Sequence, residues 1–157
     1  MPPLHLSDTT SVFSGTLFPC PGCSPSSKQP NVAIKFALNE DGLQELFREH
    51  RFYTQKLVSL QGLHIPRYYG MYANPHEGEE GQPLACMLLE YCGSCLSDPK
   101  RGPGSPKLSK TALLAAVTAI HDLGFVHGDI TADNILLDND GGLKVVDFTY
   151  NQREKCM

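Results

Sequence analysis

The sequence predicts an α+β fold, and three observations predict it. Four runs rich in β-branched and aromatic residues, at 4–18, 31–37, 64–72 and 84–91, read as strands. Two stretches, 40–60 and 109–123, repeat apolar residues at helical spacing. A run from Phe125 to Leu137 is apolar at both ends and polar in its middle, as a loop pinned between buried elements would be.

Taken in order, the first run centres on Val12, Phe13 and Leu17. Residues 19–30 form a loop, because proline removes backbone donors and the other residue types there favour turns. Asn31–Ala37 returns to strand and carries Lys35. The helix over 40–60 has Asn39 as N-cap, Glu40 and Asp41 in its first turn, and an apolar stripe of Leu43, Leu46, Phe47, Tyr53 and Leu57. Glu49 falls three residues after Leu46 and four before Tyr53, so the stripe turns it inward. A carboxylate there needs a partner, since burying an unpaired charge is costly. Lys35 is the natural one, with Glu45 the rival carboxylate.

His64–Tyr72 and Leu84–Tyr91 are joined by a polar connection over 74–83, and Asp98–Lys110 is a linker rich in Pro, Gly and Lys. Ser109 caps a second helix that Gly124 ends, with Ala112, Leu113, Ala116, Val117, Ile120 and Leu123 on one face. Leu143–Phe148 is a short strand ending in the carboxylate of Asp147.

At 157 residues and 41% apolar, the chain can bury one substantial core or two small lobes. A formal charge of −4 and a pI near 5.8 argue against nucleic acid or an anionic membrane as partner. The chain has neither an apolar run of transmembrane length nor the pattern of a signal peptide, which leads to an intracellular, cytoplasmic expectation. Disulfides are not expected in that compartment. Cys20-Pro-Gly-Cys23 and Cys92-Gly-Ser-Cys95 have the spacing of zinc ligands, but 68 residues separate them and no histidine spacing supports a site.

The chemistry gathers in the middle of Phe125–Leu137. Asp129 and Asn134 lie five residues apart, and Asp147 follows after a hairpin. Hard oxygen donors of this kind suit Mg²⁺ held against phosphates.

Three segments resemble the protein kinase family. His127-Gly-Asp-Ile-Thr-Ala-Asp-Asn134 is similar to its catalytic loop, Val145-Val-Asp-Phe148 to its metal-binding strand end, and Val32-Ala-Ile-Lys35 to its lysine-bearing strand. They come in the family's order, with Lys35 94 positions before Asp129 and Asp147 18 after it. The resemblance covers roughly residues 4–150. It implies an antiparallel N-lobe sheet with one helix and a hinge over 4–92, a linker over 93–108, and a partial C-lobe over 109–157. ATP and Mg²⁺ are the implied cofactors.

Residue roles follow from the same resemblance. Asp129 would accept or orient the proton of the attacking hydroxyl, Lys35 would hold the α- and β-phosphates, and Glu49 would orient Lys35. Asn134 and Asp147 would hold Mg²⁺, with Leu89 as gatekeeper and the backbone of Glu90 and Cys92 on adenine. His127 braces the loop, and Asp133 faces solvent or caps a local turn.

The departures carry expectations too. Aligning Val12 with the valine of the glycine-rich loop puts His5, Ser7 and Thr10 where three glycines belong, so the phosphate lid is degenerate or the N-terminus truncated. Gly128 replaces an arginine that receives an activation-loop phosphate, Thr131 a lysine, and Thr149 the glycine after Asp147-Phe148. The His-Gly-Asp form is closer to the small atypical kinases of the KEOPS tRNA-modification assembly and to aminoglycoside kinases. Ten residues follow Asp147, so the substrate platform and later C-lobe helices are expected to be missing, and a partner is expected to cover that side.

Two functions are open on this reading. One is a phosphotransferase that moves the ATP γ-phosphate to a protein hydroxyl. The other is a catalytically impaired pseudokinase that binds nucleotide or protein.

Overall fold

The computed structural model describes residues 3–18, 29–73 and 85–148, with the backbone of 152 and 153. The Cys20/Cys23 pair, Cys156, Thr149, most of the 19–30 loop and the 74–83 connection lie outside the described residues. The chain forms two compact units, residues 1–50 with 68–91, and residues 51–67 with 92–157.

The first unit is a five-stranded antiparallel sheet with one helix. Its strands are β1 (His5–Leu6), β2 (Thr10–Thr16), β3 (Asn31–Ala37), β4 (Tyr68–Ala73) and β5 (Ala85–Glu90), in spatial order β1-β2-β3-β5-β4. Central β3 pairs Lys35 with Val12 on one side and Met87 on the other. Val32, Met87 and Leu89 are buried, and a fully buried side chain of this size contributes about 1.5–3 kcal/mol.

Helix α1 (Glu40–Arg51) begins where Asn39 Oδ1 accepts the Gly42 N–H at 2.9 Å, so the expected cap is present. Its buried residues are Gly42, Leu46 and Glu49, spaced four and three apart on one face. Phe47, expected in the inward stripe, is 44% exposed. The inward line runs through a glycine, which leaves no mark in a hydrophobic pattern.

The helical stretch expected over 40–60 divides in the second unit. Phe52–Lys56 is a π turn, closed by the Leu57 N–H on Phe52 O at 2.8 Å, and Val58–Leu60 is a 3₁₀ turn. The wider turn leaves both Tyr53 and Leu57 fully buried.

Helix α2 (Lys110–Asp122) is capped as expected, with Ser109 Oγ accepting from Ala112 N at 3.2 Å. It ends at Gly124, whose φ of +79° suits glycine. Ala116 and Ile120 are its buried residues, while Leu123 is exposed. The remaining strands are β6 (Ser94–Cys95), β7 (Phe125–Val126), β8 (Ile135–Leu137), β9 (Leu143–Val145) and β10 (Gln152–Arg153). They pair antiparallel as β6-β8-β9 and β10-β7. Ile135, Leu137, Leu143 and Val145 are buried, so the β8–β9 hairpin anchors the polar loop before it and the carboxylate after it.

Among the described residues, no helix is long and apolar enough to cross a membrane. Cys86, Cys92 and Cys95 are free thiols.

Candidate functional site

In the first unit, Lys35 Nζ lies 2.9 Å from Glu49 Oε2, with the lysine 8% and the glutamate 1% exposed. A strand places the amine and a helix face places the carboxylate. Neither charge is stable in such a position alone, so each justifies the other's burial. Glu45, the alternative partner, lies one turn earlier and accepts instead from Thr9 Oγ1 at 3.0 Å.

Leu89 is buried on β5, opposite Ala33 and Tyr68. Glu90 pairs with Val32, and the next residue, Tyr91, donates its N–H to Asn31 O at 3.1 Å. Cys92 is buried in the second unit.

The second unit assembles the polar loop. Asn134 Nδ2 donates to both the backbone oxygen and Oδ2 of Asp129, each at 3.0 Å. Two backbone bonds, Thr131 N to Asp129 O and Asn134 N to Thr131 O, both 3.1 Å, close the loop into consecutive turns. Val146 N donates to Asn134 O at 3.0 Å, which brings the residue before Asp147 alongside Asn134. Asp133 is exposed and accepts from Ser97 Oγ.

His127 is buried beneath the loop. Its Nε2–H donates to Val146 O at 2.9 Å, and its Nδ1 accepts the Asp129 N–H at 3.3 Å. The pair of bonds selects the neutral tautomer with the proton on Nε2. Burial pushes the imidazole pKa below its ordinary 6.5, against the raising influence of the Val146 carbonyl, Asp147 and Asp129. The ring therefore braces the loop from both sides, as the sequence suggested.

Asp147 has a φ of +66°, the left-handed region, which Asp tolerates better than most side chains. The next residue, Phe148, is fully buried. Its ring meets His127 at 4.8 Å between centroids and Tyr53 edge-on at 5.9 Å. This three-ring stack was not legible as a unit, since its members lie at 53, 127 and 148. The one available signal was an aromatic residue directly after a left-handed carboxylate.

Asn134 and Asp147 fit a hard cation by chemistry. Both offer oxygen donors, and the Asn134 amide nitrogen is directed at Asp129, which leaves its oxygen as the atom to meet a metal.

A model of the protein kinase domain matches residues 14–155. The chain is similar to serine/threonine-protein kinase cst-1 of Caenorhabditis briggsae, 32% identical over 124 residues, 74% of this chain and 23% of that protein. It is 30% identical over 129 residues to testis-specific serine/threonine-protein kinase 5 of Mus musculus, 76% of this chain and 34% of that protein. Mitogen-activated protein kinase kinase kinase 20 of Arabidopsis thaliana is 36% identical over 96 residues, 56% of this chain and 28% of that protein. The chain thus spans between a quarter and a third of the length of these relatives, in round terms.

Proposed function

The chain belongs to the protein kinase domain family, and on that premise we propose that it binds ATP with Mg²⁺ and transfers the γ-phosphate to a protein hydroxyl. On this reading residues 4–92 are the N-lobe and hinge, 93–108 the linker, and 109–157 the part that carries the transfer residues. The observation that carries the proposal is the Lys35–Glu49 ion pair, a buried lysine held where its strand can present it to phosphates.

Lys35 holds the α- and β-phosphates, and Glu49 keeps its amine from drifting. The backbone of Glu90 and Cys92 binds adenine beside Leu89. Asp129 orients the substrate hydroxyl and receives its proton, its carboxylate fixed in direction by the Asn134 amide. Asn134 and Asp147 hold Mg²⁺. When bound, the cation offsets the charge of the phosphates during transfer.

Thermal unfolding with millimolar ATP and Mg²⁺, alongside transfer of labelled γ-phosphate to a protein substrate, tests the reading. A hundredfold excess of nucleotide over Kd stabilises the fold by about 2.7 kcal/mol. No stabilisation with wild-type protein removes the nucleotide site altogether.

A second reading, a pseudokinase that binds without transfer, is favoured by one observation. Ser7 Oγ accepts the N–H groups of Thr9 at 3.3 Å and Thr10 at 3.0 Å, groups that a glycine-rich loop would offer to phosphates. Stabilisation by ATP without any transfer, unchanged in Asp129→Ala, supports that alternative.

A further inference from the structure

Helix α1 carries two carboxylates one turn apart with different partners. Glu49 holds Lys35, and Glu45 accepts from Thr9 Oγ1 at the tip of the β1–β2 turn. That turn is closed within itself, by Ser7 N on Thr10 O at 2.9 Å and by the two N–H groups on Ser7 Oγ. It is also fastened to the start of the helix. Leu38 N donates to Thr9 O at 2.8 Å, and Asn39 Nδ2 donates to Asp8 O at 3.0 Å.

The backbones come unusually close. A Cβ on Gly42 would lie 2.0 Å from Thr9 O, so only glycine lets the helix rest on the turn. Gly42, Leu46 and Glu49 form the buried line of α1, with Glu45 beside it, so the residue seated on the turn and the residue meeting Lys35 share one face.

We propose that Thr9 and Glu45 are positioning residues, and that the β1–β2 turn is a clamp on α1 that holds Glu49 within reach of Lys35 rather than a lid over phosphates. The proposal deepens the phosphotransferase reading and rests on it for its catalytic meaning. Its structural content does not need nucleotide. Thr9 donates to Glu45, the turn then fixes the first two turns of the helix along its axis, and the rigid helix carries the setting four residues on to Glu49.

The test is the reactivity of Lys35 in nucleotide-free protein, read by mass spectrometry after brief exposure to an amine-acylating ester. A lysine held by Glu49 and buried reacts slowly, and Glu49→Gln sets the released rate. Thr9→Val removes the donor at equal size and should raise Lys35 labelling at least threefold, toward the Glu49→Gln rate. Thr9→Ser keeps the hydroxyl and should stay within twofold of wild type, as should Glu45→Gln, which keeps an acceptor oxygen. Phosphate transfer by Thr9→Val should show a lowered kcat that Thr9→Ser restores.

Wild-type labelling of Lys35 in Thr9→Val, with Glu49→Gln faster, overturns the clamp. So does a raised KM for ATP in Thr9→Val with Lys35 labelling unchanged, which is the pattern of a phosphate lid. Protein that shows the labelling pattern but neither binds nor uses ATP keeps the clamp and removes the phosphotransferase reading.

Discussion

Asn134 holds Asp129 at two points, its Nδ2 reaching the backbone oxygen and Oδ2 of the same residue at 3.0 Å each. One carboxylate oxygen is thereby occupied and aimed, and the other is left to meet a hydroxyl. Replacing Asp129 by Asn should lower kcat for phosphate transfer by about 10²–10⁴-fold, the usual range for a lost general base. ATP affinity should stay within about twofold, since the group acts on the proton and not on the phosphates. Steady-state transfer and nucleotide titration on the same preparation measure both, and a wild-type kcat in Asp129→Asn would remove the base from Asp129.

The Lys35–Glu49 pair makes a prediction about stability that requires no activity. Both groups are buried, so Glu49→Leu leaves an unpaired ammonium inside and should cost about 3–5 kcal/mol in urea unfolding. The double change Lys35→Met with Glu49→Leu removes both charges and should recover most of that loss. A double variant as unstable as the single one would mean that shape, not charge, dominates the site.

Stability should fall with acid through His127. Its folded pKa lies below the ordinary 6.5 because burial disfavours the charged ring, while Asp147, Asp129 and the Val146 carbonyl pull the other way. The unfolded chain therefore takes up the proton first. The contribution is intact above pH 6.5 and is lost as pH falls from there through the lowered folded value. Denaturant midpoints between pH 8 and 5 should show this slope, and His127→Gln should flatten it.

Asp147 joins a proposed ligand to a left-handed backbone. Asn tolerates that conformation, so Asp147→Asn should keep its unfolding free energy within about 0.5 kcal/mol while losing Mg²⁺-dependent nucleotide binding. Asp147→Val should lose binding as well and cost about 1–2 kcal/mol of stability. Equal stability of the two variants would show that the backbone there relaxes freely.

What the residues announced and what they concealed follow from range and from chemistry. Strand runs and both helix caps were legible, because Asn39, Ser109 and Gly124 act on neighbours within one turn. The meeting of Lys35 with Glu49 was legible too, from the phase of a stripe that turns Glu49 inward. The work of Glu45 was not, because its partner Thr9 lies 36 positions away and a threonine in a turn attracts no notice. Phe47 misled for the opposite reason, since a large apolar residue weighs heavily in any stripe while Gly42, which takes the inward place, weighs nothing. Adenine recognition through the backbone of Glu90 and Cys92 would leave almost no side-chain trace, so the sequence could name those positions only through the family resemblance.

The widened turn at Phe52–Lys56 bears on how this chain can change length. A π turn holds one residue more than an α turn of the same rise, and that surplus residue resets the phase of everything after it. Deleting one residue between Arg51 and Leu57 would restore regular winding and rotate Leu57 by about 100° from its buried direction. A shorter chain here would make the more regular helix and the poorer core, so insertions and deletions at this bend are not equivalent.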